Sequence, residues 1–117
     1  MINIFSSSRY KLNKKYLREF AQSAVNEYQV TTLGVVNIIF VGKRKMLNIS
    51  NTYKQENVAL PVLAFPYNDD KKNPENILGE IFLCYPQVVL LAAERNKKVE
   101  DITKQLIEHG IQNLFSK

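Results

Sequence analysis

The stretch Val35-Val-Asn-Ile-Ile-Phe-Val41 is almost wholly apolar and rich in β-branched residues, and Gly42 follows it directly. A short apolar run of this kind is typical of a strand that is buried on both faces of a sheet. The glycine interrupts the run and ends the strand. We therefore predict a doubly buried strand over residues 35–41.

Three weaker strand signals accompany it. Residues 1–5 alternate loosely between apolar and polar side chains and are compatible with an edge strand. Residues 62–65 form a short apolar run between Pro61 and Pro66, and prolines at both ends indicate an edge position. Residues 78–84 predict a further strand, but the sequence leaves its direction relative to its neighbours open.

Helical periodicity is strongest over residues 14–28. Apolar side chains recur there at intervals of three and four: Leu17, Phe20, Ala21, Ala24, Val25 and Tyr28. Asn13 stands where an N-cap belongs. We expect a short helix over residues 43–51 with Met46 and Leu47 facing inward, and Ser50 as a further candidate.

Two more helices are predicted near the C-terminus. Pro86 suits a first-turn position, so one helix should run from there to about Asn96. The last should span residues 99–115. Residues 53–60 and 67–76 are polar and predict loops. Together these elements indicate an α+β fold, a mixed sheet of three or four strands covered by helices, in a single domain of residues 1–117.

Composition narrows the class of protein. Apolar residues make up 45% of the 117 residues and charged residues 23%, which is ordinary for a globular domain. The N-terminus lacks the basic and apolar regions of a signal peptide. No apolar run approaches the ~18 residues of a membrane span. Cys84 is the single cysteine, so an intrachain disulfide is excluded. We expect a cytoplasmic protein.

The net positive charge of the chain indicates a polyanion as a binding partner. The formal net charge is +5, and basic residues cluster at Lys43-Arg44-Lys45 and at Lys71-Lys72. Such clusters attract nucleic-acid phosphates independently of sequence. The simpler interpretation is a solvated surface. An even scatter of lysines and arginines over the folded surface would favour that interpretation.

The last predicted helix carries the only histidine. His109 falls seven residues after Ile102, so we expect it to border the apolar stripe rather than point to solvent. Asn113 follows at i+4, the spacing at which helical zinc sites present two imidazoles, although an amide is a poor zinc ligand. The simpler interpretation is a hydrogen-bonded structural histidine. A glycine at position 110 costs about 1 kcal/mol in a helix and therefore indicates close packing or access to the histidine.

The sequence gives less support to other kinds of catalytic or binding site. Phosphate-binding loops and hydrolase elbows have no matching motif. Cys84 and His109 could form a nucleophilic pair, but a cysteine at the end of an apolar strand is usually buried and inert. Glu80 and Glu108 are candidates for a carboxylate pair, with a solvated Glu108 as the simpler interpretation.

Four blocks in order resemble one family. They are Ile49-Ser-Asn-Thr-Tyr-Lys54, Val62-Leu-Ala-Phe-Pro66, Leu78-Gly-Glu-Ile-Phe-Leu-Cys84 and His109-Gly110. Over residues 35–114 their order and spacing are similar to those of the YbeY family, whose hallmarks are segments like LNxxYR, TDVLSFP, GDIxIC and HGxLHLxGYDH. The resemblance implies a metal-dependent endoribonuclease of ribosomal RNA maturation, with zinc held by three histidines.

The chain departs from that pattern at the metal site. Asn113 stands at the second histidine position, and the third would fall beyond Lys117. Lys54 replaces the arginine of the family, which keeps the charge but loses the bidentate fork. A catalytic zinc requires about three protein ligands and an open position for water. We therefore expect an incomplete metal site with His109 as its ligand and Asn113 as a weak second position.

The resemblance also implies the site residues and the partners. Lys54 and His109 are the candidate catalytic residues, and the expected RNA contacts come from Lys43, Arg44, Lys45 and Lys54. Ribosomal RNA and the small ribosomal subunit or its assembly factors are the implied partners. Three functions stay open: an active nuclease, a metal-free RNA- or protein-binding domain, and a small interaction domain without an RNA role.

Overall fold

The computed structural model describes residues 1–29, 34–55, 58–67 and 76–115. Within these ranges the elements follow in the order β1 (Ile2–Phe5), α1 (Lys14–Asn26), β2 (Val35–Val41), α2 (Lys43–Lys54), β3 (Val62–Pro66), β4 (Ile77–Cys84), α3 (Tyr85–Glu94) and α4 (Val99–Phe115). The strands form one sheet in the order β1-β2-β4-β3. The neighbours β1, β2 and β4 run parallel, whereas β3 is antiparallel to β4. The predicted α+β class and mixed sheet are confirmed.

Strand β2 lies inside the sheet between β1 and β4. Its side chains alternate between two covered faces: Ile38 is fully buried on one and Val41 is 5% exposed on the other. Asn37 is only 8% exposed, although it is polar. The predicted doubly buried strand is confirmed, because the apolar run supplies core residues in both directions.

One face of the sheet, the α1/α4 face, carries the main core. Helices α1 and α4 pack on it with their apolar stripes. The fully or almost fully buried side chains of this core include Leu17, Ala21, Val36, Ile38, Ile81, Leu83, Ile107 and Ile111. Alternation along the strands places every second residue here, so the residues between them belong to the opposite face.

Two glycines allow α4 to lie close against β4. A Cβ at Gly110 would come within 2.8 Å of Ile81 Cγ2, and one at Gly79 would come within 2.6 Å of Leu114 Cδ2. Each element thus presents a glycine to a large side chain of the other. The predicted close packing at Gly110 is confirmed.

On the opposite face, the α2 face, the described residues that cover the sheet come from α2 and from Ala59 and Leu60. Met46 and Ser50 are fully buried there, and Met46 packs with Val41, Leu63 and Cys84. The rest of this face carries the polar side chains of Asn37 and Glu80 together with aromatic residues. Glu80, Phe65 and Phe82 on this face line a groove.

Several predicted boundaries were wrong by a few residues. Helix α2 continues to Lys54, so residues 53 and 54 are helical rather than part of a loop. The ring of Tyr53 packs against Phe65, and this contact supports the extra turn. Helices α1 and α3 end at Asn26 and Glu94, two residues earlier than expected.

The remaining strand and cap predictions hold closely. Strands β3 and β4 each gain one residue, and β1 and β3 occupy the sheet edges as expected. Helix α4 has the predicted bounds. The side chain of Asn13 accepts a hydrogen bond from the Tyr16 amide at 3.1 Å and caps α1.

The residues with a left-handed backbone conformation are not glycines. Four residues have φ between 51° and 55°: Gln29, Gln55, Asn76 and Asn96. None of the four glycines has a positive φ. Gln55 and Asn96 follow α2 and α3 and reverse the chain there. Gly34, Gly79 and Gly110 instead stand where a Cβ would come within 3 Å of a neighbouring atom.

Most of the loop predicted at residues 67–76, with Lys71-Lys72, lies outside the described residues. Among the helices that the structure does describe, none combines the length and apolar character needed to span a bilayer.

The glycine contact predicts the effect of a methyl group. We expect Gly110→Ala to lower the free energy of unfolding by about 1–3 kcal/mol through overpacking against the buried Ile81. The gain in helix propensity, about 1 kcal/mol, offsets only part of this. Chemical denaturation measures the change. The control is Gln112→Ala at an exposed site of α4, which should leave stability unchanged or slightly raised, and equal stability of both variants would contradict the close contact.

Candidate nucleic-acid interface

A groove of about 460 Å³ lies between α2 and the open part of the α2 face. We call it the α2 groove. Its lining residues come from α2, from β3 and the residue after it, and from β4: Lys45, Ile49, Tyr53, Phe65, Tyr67, Glu80 and Phe82. Its volume lies in the ~300–1,000 Å³ range of small-molecule sites.

Aromatic rings form much of the groove. Tyr53 and Phe65 meet edge to face with centroids 5.3 Å apart, and Phe65 meets Phe82 in the same way at 5.8 Å. Tyr53 is 67% exposed and Tyr67 is 44% exposed, so two rings remain accessible. Accessible rings of this kind are platforms on which unpaired nucleobases stack.

The spacing along α2 explains why these residues share a side. Lys45, Ile49 and Tyr53 follow one another at intervals of four and therefore point the same way. The buried Met46 and Ser50 lie on the adjacent stripe and hold the helix on the sheet. From Lys45 to Tyr53 the helix rises about 12 Å.

A line of polar side chains crosses the α2 face. Strand register places Asn3 beside Asn37 and Asn37 beside Glu80. Asn3 Nδ2 donates to Asn37 Oδ1 at 3.2 Å, and Asn37 Nδ2 donates to Glu80 Oε2 at 3.4 Å. The hydroxyl of Tyr67 donates to Glu80 Oε1 at 2.6 Å. The carboxylate is therefore held from both sides.

Partial burial and the hydrogen bond to Glu80 change the pKa of the Tyr67 phenol. Its pKa is raised to about 12, first by desolvation and then by the hydrogen bond to Glu80 and the nearby carboxylate charge. Removal of the phenolic proton would place two negative charges together. The tyrosine stays a hydrogen-bond donor throughout the physiological pH range.

Positive charge accumulates on α2. The helix contains Lys43, Arg44, Lys45 and Lys54 and no acidic residue. None of these cations forms an ion pair within the described ranges, where the one salt bridge joins Lys104 to Asp101. Lys45 also lines the groove, so one cation of the first turn adjoins the aromatic rings.

Other cations lie elsewhere. Lys14, Lys15 and Arg18 are exposed on α1, which packs on the α1/α4 face. Positive charge is thus not confined to one surface. The α2 region differs because it lacks acidic residues on its helix and adjoins exposed rings.

The predicted catalytic residues belong to different helices. Lys54 is the last residue of α2, on the α2 face, and His109 is on α4, on the α1/α4 face. His109 is exposed, so the expectation that it borders the apolar stripe was wrong. The buried stripe runs through Gly110, whose close approach to the sheet leaves the preceding residue on the solvent side.

The simpler interpretation of His109 is not supported either. The described part of the chain offers it no hydrogen bond or ion pair. The residue is therefore not a hydrogen-bonded core histidine.

The described residues around His109 do not by themselves supply the ligands of a catalytic zinc. Asn113, at i+4, is exposed and offers an amide rather than an imidazole. Over residues 1–29, 34–55, 58–67 and 76–115, no group of three or more histidine, cysteine or acidic side chains is placed to hold a metal ion. One imidazole and one amide fall short of the ~3 protein ligands of catalytic zinc.

The two alternative pairs are not assembled. Cys84 is fully buried beside Met46 under α2, and burial raises the pKa of its thiol, whereas His109 is exposed on α4. Glu80 faces the α2 groove, and Glu108 is exposed on α4 over the other face. Neither a Cys–His nucleophile nor a Glu–Glu pair is formed.

Sequence reasoning missed the groove. The sequence patterns predict strands at Phe65 and Phe82 and loops at Tyr53 and Tyr67, and the family-like blocks that contain Tyr53, Phe65 and Phe82 do not indicate a groove. The signal was present in the alternation of Leu63, Phe65 and Tyr67, which places a second aromatic residue on the side of the first. The partners of these rings come from α2 and β4, and no local pattern identifies them.

The hydrogen bond between Tyr67 and Glu80 predicts an alkaline titration. One phenol should titrate with a midpoint of about 12, and Tyr67→Phe should remove it. Glu80→Gln should lower that pKa only in part, since desolvation is the largest cause. Because folding raises this pKa above its ordinary value, the contribution of Tyr67 to stability is present below about pH 10 and is lost as pH rises towards 12.

Phenolate absorbance measures the titration. The control is Tyr28→Phe, which removes an exposed tyrosine outside the α2 groove and should leave the midpoint at about 12 in place. A curve that Tyr67→Phe leaves unchanged would contradict the hydrogen bond.

Comparison with known proteins identifies relatives over nearly the whole chain. A family model described as Endoribonuclease YbeY matches residues 3–115. Endoribonuclease YbeY of Buchnera aphidicola subsp. Baizongia pistaciae is 30% identical over 116 residues, which cover 97% of this chain and 74% of that protein. Endoribonuclease YbeY of Thermodesulfovibrio yellowstonii is 30% identical over 81 residues, 69% of this chain and 51% of that protein.

A solved structure shares the fold. The solution structure of TM1509 from Thermotoga maritima superposes with a TM-score of 0.68 at 25% identity, covering all of this chain and 73% of that one. The chain spans about half to three quarters of the length of these relatives. Since the family model extends from β1 to the end of α4, the chain belongs to the YbeY endoribonuclease family.

Proposed function

We propose that this chain is a cytoplasmic RNA-binding domain that acts in ribosomal RNA maturation through the α2 groove. The observation that carries the proposal is the combination of exposed aromatic rings with a helix that bears four cations and no acid. Aromatic and basic residues together are the usual means of holding single-stranded RNA. Family membership supplies RNA as the class of partner.

The first turn of α2 supports phosphate binding. Lys43, Arg44 and Lys45 lie at the positive end of the helix dipole, where acidic residues are normally favoured. Gly42, at the N-cap, provides no side-chain hydrogen bond to the free amides. A bound phosphate would neutralise the cations and accept from those amides. The local cost to the free protein is thus offset in a complex.

Lys54 and His109 have different roles in this proposal. Lys54 ends the cationic helix and would contact RNA backbone as a point charge. His109, exposed on the other side of the sheet, would hold a divalent ion only weakly with Asn113. We therefore propose that the single domain of residues 1–117 binds RNA without a zinc-dependent step, with the small ribosomal subunit or its assembly factors as its partner.

A charge-matched pair of triple variants tests the interface. Replacing Lys43, Arg44 and Lys45 by glutamine should weaken binding of single-stranded RNA and reduce the salt slope of log K by up to about 2, since each lost phosphate contact contributes about 0.7. Fluorescence anisotropy over a salt series measures both. The control replaces Lys14, Lys15 and Arg18 by glutamine and removes the same charge from α1.

The control should change affinity much less than the α2 variant. Equal losses in both would show that net charge rather than the α2 region holds the RNA. A salt-independent affinity of the unaltered chain would argue against phosphate contacts altogether.

Metal binding gives a second test. The 117-residue chain should bind zinc no more tightly than micromolar and retain none after dialysis against a chelator, because the ligand set around His109 is too small. Metal analysis and calorimetry measure this, with His109→Ala as the comparison. RNA affinity should not change on chelation. One zinc retained per chain would overturn the metal-free proposal.

A further inference from the structure

The carboxylate of Glu80 is unusual for a groove in a basic protein. It lines the α2 groove beside Phe65, Tyr67 and Phe82, and no lysine or arginine of the described ranges forms a salt bridge with it. Lys45 lines the same groove without reaching that distance. A carboxylate would repel the phosphate that the surrounding cations attract. Its place in the groove therefore calls for a ligand that offers hydrogen-bond donors.

The carboxylate is held in place but not saturated. Tyr67 donates to Oε1 and Asn37 to the more distant Oε2. Each carboxylate oxygen accepts about two hydrogen bonds, so each retains one acceptor site. The line from Asn3 through Asn37 fixes the orientation from the sheet side. Glu80 thus presents two adjacent acceptors to the groove.

We infer that the α2 groove binds a guanine base, whose N1–H and N2 amino group donate to the two oxygens of Glu80. The inference rests on the proposed RNA-binding function and adds to it a base preference. Guanine is singled out by the order of donors and acceptors along its pairing edge. Its N1–H and N2 amino group are adjacent donors, which matches two carboxylate oxygens.

The other bases present a lone pair where guanine presents a donor. Adenine has one amino group beside the unprotonated N1, and cytosine has one beside the unprotonated N3. Uracil has a single N3–H between two carbonyl oxygens. Each would bring an acceptor against the carboxylate, and an unpaired acceptor beside a charge carries a penalty. Glu80 therefore discriminates by repulsion as well as by attraction.

The rest of the groove suits a base and its backbone. The exposed ring of Tyr53 and the ring of Phe65 offer apolar surface for stacking, and Tyr67 stands beside Glu80 as a positioning residue. Lys45 lies toward the first turn of α2, where Lys43 and Arg44 can take the adjoining phosphate. The carboxylate thus reads the base while the cations hold the backbone.

Four short RNA oligomers test the preference. Each consists of uridine with one central guanosine, inosine, adenosine or cytidine, and anisotropy gives its affinity at fixed low salt. Inosine lacks the N2 amino group and keeps N1–H, so it removes one of the two donated hydrogen bonds. Guanosine should bind about tenfold or more tightly than inosine, the effect of one hydrogen bond to a charged group. Adenosine and cytidine should bind more weakly still.

Variants locate the preference in the groove. Glu80→Gln presents one acceptor and one donor, so the affinity ratio of guanosine to inosine should fall towards one. The matched control is Glu108→Gln, an exposed carboxylate on α4, which should keep the ratio. Tyr67→Phe should reduce the ratio without abolishing it. Tyr53→Leu should weaken all four oligomers by about tenfold through loss of stacking.

The outcomes separate this inference from the proposed function. Equal, salt-dependent affinity for all four oligomers would overturn the guanine site and leave RNA binding intact. A guanosine preference that survives Glu80→Gln would also overturn it, because the preference would then arise elsewhere. If none of the oligomers binds, both proposals fail, and a protein segment becomes the better occupant of the groove.

Discussion

The contact between α4 and β4 determines how the rest of the molecule is arranged. Gly110 admits the side chain of Ile81, and Gly79 admits that of Leu114, so a helix and a strand approach more closely than side chains would normally allow. This approach fills the α1/α4 face and turns His109 outward. With one face closed by α1 and α4, the polar and aromatic residues of β3 and β4 remain for the other face.

That division separates two chemical regions. On α4, the described residues near the exposed His109 include one further polar candidate, Asn113, and no group of three metal-binding side chains. On the α2 face, Lys45, four aromatic rings and the carboxylate of Glu80 lie together around a groove. The chain belongs to the YbeY endoribonuclease family, and its α2 face carries the groove on which the proposed RNA binding rests.

Local sequence pattern predicted the bounds of a helix well where neighbouring residues alone determine where that helix begins and ends. Asn13 caps α1, and the amphipathic spacing from Val99 to Phe115 gave the bounds of α4. The last turn of α2 was missed because its stability comes from the contact of Tyr53 with Phe65, which are distant in sequence. The groove was missed for the same reason. The line from Asn37 to Tyr67 through Glu80 depends on strand register and on the residue after β3, neither of which a single sequence specifies.

Glycine is used sparingly, and its placement has a practical consequence. None of the four glycines has a left-handed backbone conformation. Four residues with side chains adopt it instead: Gln29, Gln55, Asn76 and Asn96. A non-glycine residue stores about 1 kcal/mol or more in this conformation. The turns after α1 and α3 contribute no residue to the lining of the groove, so they are positions where an engineered glycine can raise the melting temperature while leaving the groove unchanged.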